Sequence, residues 1–460
     1  MYNKVKIAII GAGSTSFCPA TIIDILHTEG FKKLPLAITL MDISEDALMA
    51  SKQFTEKVAA LIKHGVQISA TTFLNEALEG ADFVITAIEK NRYYYWSMDF
   101  HIPRRYGFRQ IFGENGGPGG MFHALRNMGP MLEIARAMEQ LCPDAYLLNY
   151  SNPEAKLVEA VSKLTKVKAL GLCHGEGMGL DQLSVLLDLF KQDIDADVCG
   201  LNHFGWFTRI QHKRTGEDLY PLLRERESKA EWLAHWDELG LSRLMFRTFG
   251  LYPYPGANHI GEYIAWGDEM LASAMIQYAY DPVKNDPWNG GAVPEFIYSF
   301  SSNPTNRMLF PEEKADSAEP GYLKSFAINS DNLRGSNEYG IPIAEAIATD
   351  KPYRVGAVNM LNKGYAPNLK PNMAIEIPAL VNGKGIHPIK QPALPEAIAQ
   401  MINTQGAIHQ LLIEAYTEQS RNKLLQATLL DPTISNYNNA VALINEMCER
   451  QRDILPPMRW

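Results

Sequence analysis

Cysteine is scarce in this sequence. Only five of 460 residues carry a thiol, and Cys18, Cys142, Cys173, Cys199 and Cys448 are scattered along the chain. An odd, dispersed set does not make a disulfide framework, so reduced thiols in a cytoplasm are expected. No apolar run reaches the roughly 18 residues that a membrane-crossing helix needs. The apolar run at residues 5–10 ends at once in glycine, so no secretory leader is expected. Positive charge is not concentrated anywhere, and the formal net charge is −9. Nucleic-acid binding needs a basic face, so that class is set aside. There is no internal repeat and no low-complexity tract.

What remains is an ordinary globular composition, 46% apolar and 21% charged, in a chain long enough for two or three domains. Short apolar runs punctuated by glycine or polar turns predict parallel strands at 5–10, 36–41, 81–88, 145–150 and 167–172. Helical patterns fall between them. One runs to about Ile25, a second starts at Glu45 behind a Ser44 cap, and a long one covers 121–141. Strands alternating with helices imply a doubly wound parallel sheet. After about residue 200 the rhythm fails and aromatics become dense. The reading is a Rossmann-like domain over 1–198 and a mixed α+β domain over 199–460. The second contains an amphipathic helix near 398–415. The polar segment 312–336 reads as a surface loop or lid.

The run KIAIIGAGST, residues 6–15, ends its strand in Gly11 and Gly13. In a dinucleotide fold the first glycine makes a tight turn and the second lets the backbone approach a pyrophosphate. The helix N-terminus then supplies oriented N–H groups. Ser14 and Thr15 open that helix, and Ser16 stands where a third glycine is usual. Asp42 ends the second strand, where a carboxylate holds the ribose hydroxyls of NAD and repels the extra phosphate of NADP. Strand, turn, helix, strand and terminal Asp together argue for NAD rather than a structural turn.

The stretch GLCHGEG, residues 171–177, sets Cys173 beside His174 just past a predicted strand. About 30 residues on, GLNHFGW at 200–206 offers His203. A thiolate and a neutral imidazole suit a borderline divalent ion such as zinc, iron, cobalt, nickel or manganese. With two protein ligands, water and substrate complete an open, catalytic sphere. Taken alone, each is more readily a buried hydrophobe or a core histidine. Asn152, in LNYSNP, either hydrogen-bonds a hydroxylated ligand or forms a turn before Pro153. His259, in NHIGEY with Glu262 and Tyr263, either serves the site or packs. The glycine-rich GENGGPGG, 113–120, leads into a helix.

These landmarks resemble glycoside hydrolase family 4, the NAD- and divalent-metal-dependent glycosidases. The match runs through IIGAGST, MD at 41–42, GPGG at 117–120, LNYSNP, GLCHG, GLNHFGW and AIEIPALVNGKGIHP at 374–388. The resemblance implies a fold similar to lactate and malate dehydrogenases. It makes Cys173 and His203 metal ligands, manganese first among the metals. Asn152 becomes a sugar ligand, and Gly11, Gly13, Ser14, Thr15 and Asp42 become NAD contacts. It also implies His174 as general acid, where phosphosugar members often have Asp, and either His259 or Tyr263 as base.

The implied chemistry departs from the usual two-carboxylate glycosidase. Oxidation at carbon 3 acidifies the hydrogen on carbon 2, the leaving group departs by elimination, water adds, and the hydride returns. Trp96 stands where several phosphosugar members have Arg, which points to an unphosphorylated α-glucoside or α-galactoside, with an α-hexuronide or a 6-phospho-α-glucoside as alternative. A homodimer or homotetramer is expected. A plain NAD-dependent dehydrogenase or a non-catalytic NAD sensor would explain the nucleotide turn, but not Cys173 and His203 at this spacing.

Overall fold

The computed structural model describes residues 2–229, 239–267, 323, 325–329 and 333–460. The predicted loop at 312–336 lies outside these except for its last stretch and a few earlier residues. Six parallel strands open the chain: β1 (Val5–Ile10), β2 (Leu36–Met41), β3 (Gln67–Thr71), β4 (Phe83–Thr86), β5 (Tyr146–Asn149) and β6 (Lys168–Gly171). Between them lie α1 (Cys18–His27), α2 (Glu45–Leu61), α3 (Leu74–Leu78), α4 (Arg92–Arg105), α5 (Gly117–Leu141) and α6 (Glu154–Leu164). The strand order β3-β2-β1-β4-β5-β6 is that of a doubly wound nucleotide fold. Strands buried on both faces read as continuous apolar runs, which is why β1 and β2 fall where the sequence predicts them. Residues flanking β4, β5 and β6 read as strand but lie outside the strands, and α5 begins four residues earlier than its periodicity suggests.

After β6 come α7 (Gly175–Leu187), β7 (Ile194–Leu201), β8 (Phe204–His212), α8 (Tyr220–Lys229), α9 (Gly240–Phe249) and α10 (Ala257–Gly261). The chain resumes with α11 (Gly340–Thr349), β9 (Tyr353–Leu361), β10 (Ala374–Asn382) and β11 (Gly385–Pro388). It closes with α12 (Glu396–Thr417), α13 (Arg421–Leu430) and α14 (Tyr437–Arg450). The mixed second half therefore has a definite form. Strands β9, β10, β7 and β8 extend the same sheet beyond β6, all antiparallel to their neighbours.

The join between the two kinds of sheet is a single residue pair, Gly171 with Asn359. That row continues from Asn359 to Glu376 and from Glu376 to Gly200. One core on the first face of the sheet packs Met128 and Leu132 of α5 against Leu412, Leu424 and Leu443 of the last three helices. On the other face, α1, α2 and α11 cover Ile7, Ile9, Ile38 and Leu40. A third core gathers Phe204, Trp206, Tyr263, Ile375 and Ile377 around the antiparallel strands.

Candidate active site

The carboxyl edge of β1 and β2 holds the nucleotide turn. Gly11 has φ +88°, and a Cβ there would lie 2.3 Å from the Ala87 carbonyl oxygen just past β4. Gly13 donates its N–H to Asp42 Oδ2 at 2.7 Å, while Ser44 donates to Asp42 Oδ1 at 2.9 Å. A Cβ at Gly13 would sit 2.8 Å from that carboxylate. Asp42 thus locks the turn and keeps further lone pairs for a hydroxylated ligand. Ser14 is half-buried and Thr15 exposed, at the mouth of α1. The close approach at Gly11 and Gly13 is the cradle a dinucleotide needs.

Cys173 and His203 come together. Cys173 lies two residues beyond β6, and His203 in the tight turn between β7 and β8. Their Sγ and Nε2 atoms are 3.2 Å apart. Two ligands bound at a right angle to one ion, at about 2.3 Å for sulfur and 2.1 Å for nitrogen, are about 3.1 Å apart. The donor set and its spacing therefore fit a divalent metal. No third His, Cys, Asp or Glu completes a cluster among the described residues, which leaves such a sphere open. Burial pushes the Cys173 thiol well up, helped by Glu376, Glu154 and Glu338. Burial pushes the His203 imidazole well down, aided by His259 and His174. The imidazole is thereby kept neutral and ready to ligate.

The proton-transfer candidates surround this pair. His174 is 60% exposed at the start of α7, and its Nδ1 lies 3.0 Å from Glu338 Oε1. That hydrogen bond raises the His174 pKa. On α10, His259 stacks on His203 with ring centroids 4.3 Å apart. Its Nδ1 faces Glu262 Oε1 at 3.7 Å. Tyr263 is buried with its ring on Phe204, and its hydroxyl lies between the His203 N–H (3.4 Å) and the Asn202 carbonyl (3.5 Å). Burial, with Glu262 next in effect, raises the Tyr263 phenol well above its ordinary range. Asn152 is half-buried past β5, and Asn127 Nδ2 donates to its carbonyl at 2.8 Å.

Several residues of the site escape a reading by motif. GENGGPGG proves to be rigidly held, for Glu262 Oε2 accepts the N–H groups of Glu114 and Asn115 at 3.1 and 2.6 Å. Trp96 is buried rather than lining open space. It donates to the Phe112 carbonyl at 2.8 Å and packs edge-on against that ring, which in turn meets His259. Arg92 pairs with Glu114.

Behind the Cys173–His203 pair lies a buried carboxylate pair. Asn359 Nδ2 donates to Glu154 at 2.6 Å and to Glu376 at 2.9 Å, and Asn202 Nδ2 reaches Glu376 at 3.3 Å. Tyr254 caps Glu376. Burial lifts Glu376 to about 8, and it lifts Glu154 well above the usual range with Glu376 adding to it. The sequence signal for Glu376 is a lone charge inside the apolar strand AIEIPALV. None exists for Glu154, whose carboxyl fits only because Gly171 has no side chain. A Cβ there would lie 1.3 Å from Glu154 Oε1.

Known proteins place this arrangement in context. The family models described as Family 4 glycosyl hydrolase and Family 4 glycosyl hydrolase C-terminal domain match residues 6–188 and 198–434. The chain is 29% identical to an alpha-glucosidase of Erwinia rhapontici, over 97% of this chain and 98% of that one. It is 29% identical to an alpha-galactosidase of Bacillus subtilis, over 98% and 99%. Among solved structures, a 6-phospho-alpha-glucosidase from gut microorganisms, in complex with NAD and Mn2+, superposes with a TM-score of 0.78 at 23% identity, over 99% and 100%. A malate dehydrogenase of Plasmodium falciparum, with NADH, gives 0.51 at 12% identity, over 90% and 99%, which bears out the expected dehydrogenase-like fold.

Proposed function

The chain belongs to glycoside hydrolase family 4, and on that premise we propose that it hydrolyses unphosphorylated α-glucosides or α-galactosides with NAD and a divalent metal, manganese first. The observation that carries this reading is the 3.2 Å approach of Cys173 to His203, beside His174 and His259, along the carboxyl edge that also holds the nucleotide turn. When bound, NAD would supply a reversible hydride acceptor and the metal a Lewis acid. Gly11, Gly13, Ser14, Thr15 and Asp42 would hold the former; Cys173 and His203 would hold the latter. Asn152 hydrogen-bonds a sugar hydroxyl.

The chain's own residues move the protons. His259, lying on the His203 ring, takes the proton from carbon 2 once carbon 3 is a ketone. His174 gives a proton to the oxygen that leaves carbon 1. Water adds to carbon 1 and the proton returns to carbon 2. Tyr263 is the weaker candidate for base, because its hydroxyl already bridges backbone groups and its phenol is pushed away from ionisation. Each transfer contributes roughly 10²–10⁴-fold. Support for a neutral substrate comes from Arg92, whose charge meets Glu114.

A panel of nitrophenyl α-glycosides tests this reading. Neutral, 6-phosphorylated and uronide sugars are assayed with NAD and manganese in heavy water. Cleavage of neutral glycosides that stops on chelation, with deuterium at carbon 2 of the product, is expected. Cleavage without either cofactor, or product unlabelled at carbon 2, overturns it.

A further inference from the structure

The segment 333–340, whose first four residues end the stretch that reads as a surface loop or lid, touches both halves of the site. Its N-terminal side is fastened to α1, the helix that follows the nucleotide turn. Ser336 donates its N–H to Asp24 Oδ2 at 3.0 Å and its hydroxyl to the same carboxylate. The Ser336 Oγ then accepts the Glu338 N–H at 3.0 Å, fixing the backbone of Glu338. On the far side, Tyr339 donates to Glu176 of α7, and the Gly340 N–H reaches Tyr150 Oη at 2.8 Å. The Tyr150 ring packs on Phe17 at the start of α1, centroids 4.4 Å apart. Glu338 is thus held at four points around it.

Its side chain faces His174. Glu338 Oε1 lies 3.0 Å from His174 Nδ1, its carboxyl is 12% exposed, and Oε2 is buried without a partner among the described residues. We propose that Glu338 is a positioning residue for His174, fixing the ring rotamer and keeping a proton on Nδ1 so that Nε2 alone exchanges protons with substrate and water. This rests on the reading of His174 as the acid.

In the charged ring both nitrogens carry hydrogen. The Nε2 proton passes to the aglycone oxygen as the bond from carbon 1 to that oxygen breaks, and the bonding pair stays on the oxygen. The ring is left neutral with its proton on Nδ1, still donated to Glu338, and Nε2 free to accept. When water adds to carbon 1, its proton returns to Nε2 and the ring is restored. An imidazole without such a partner prefers the other neutral tautomer and turns freely. A carboxylate that fixes tautomer and orientation without itself taking the proton is the role the Asp plays in a Ser-His-Asp triad.

The test uses leaving groups. A defect in proton delivery harms alkyl aglycones, which need protonation, far more than nitrophenyl aglycones, which do not. Glu338→Gln should lower kcat on methyl or other alkyl α-glycosides on the order of ten- to a hundredfold, and on nitrophenyl α-glycosides less than about threefold. Deuterium incorporation at carbon 2 and NAD affinity should persist, and Glu338→Asp should recover part of the alkyl activity. His174→Ala should show the same steepened dependence, and adding Glu338→Gln to it should cost nothing more.

Long-range nitrogen–proton NMR of histidine-labelled, metal-free protein provides a readout apart from turnover. The neutral His174 ring should carry its proton on Nδ1 in the wild type and mainly on Nε2 in Glu338→Gln. An equal loss on both substrate classes, or none, with His174→Ala still steep, overturns the role of Glu338 alone. A flat dependence in His174→Ala overturns the acid reading and the positioning role with it.

Discussion

The nucleotide turn and the Cys173–His203 centre stand on one edge of one sheet but are built in opposite ways. The turn is local. Gly11 and Gly13 follow β1 and Asp42 follows β2, two adjacent parallel strands, and Gly13 donates directly to Asp42. The centre is assembled from six stretches of chain: 152–154, 173–174, 202–203, 254–263, 338 and 359–376. Its frame is the change from parallel to antiparallel pairing at Gly171 and Asn359. A local site tolerates distant change, while an assembled one depends on the register of several strands at once. Glu262 illustrates this, since one buried carboxylate holds the 114–116 backbone and faces His259.

That contrast is broken most sharply by separating the two cofactors. Cys173→Ser or His203→Ala should abolish metal binding and reduce glycoside cleavage roughly a thousandfold, with NAD affinity unchanged by calorimetry. Gly13→Ala should do the reverse. Its added methyl meets Asp42, so NAD affinity should fall about ten- to a hundredfold while metal binding is retained. If either substitution weakens both ligands equally, the two regions are one unit.

A smaller effect separates the two base candidates within the assembled half. His259→Ala should lose cleavage and carbon-2 exchange together, by about a hundredfold. Tyr263→Phe keeps the ring on Phe204 and removes one hydroxyl, so a loss of about tenfold or less is expected. Exchange lost in the Tyr263 variant alone would reverse the assignment.

The smallest effect lies in the buried carboxylate pair. Glu376 is lifted to about 8 by burial, above the 4.5 of an ordinary Glu. Its proton is kept in the folded chain and lost in the unfolded one between those values. Its contribution to the stability of the metal-free protein should therefore be fully present below the lower value and fall as pH rises through this window. Glu376→Gln should flatten that slope in chelator-treated thermal melts, though not wholly, since Glu154 is raised as well. An unchanged slope would show that the pair does not titrate there.

By itself the sequence determined whatever depends on neighbours along the chain. Continuous apolar runs specify β1 and β2 because strands buried on both faces need them, and glycines specify the turn because no Cβ fits beside Ala87 or Asp42. Ser44 caps α2, accepting the Ala47 N–H, as its position suggested. The motifs also named Cys173, His174, His203 and His259 as candidates. Only the tertiary structure decided that they meet. No periodicity encodes the turn to antiparallel pairing at β6, the reach of Glu338 across 164 residues to His174, or the fit of Glu154 over Gly171. Those contacts arise from burial and strand register, where a carboxylate is placed by the shape around it and not by the residues beside it in sequence.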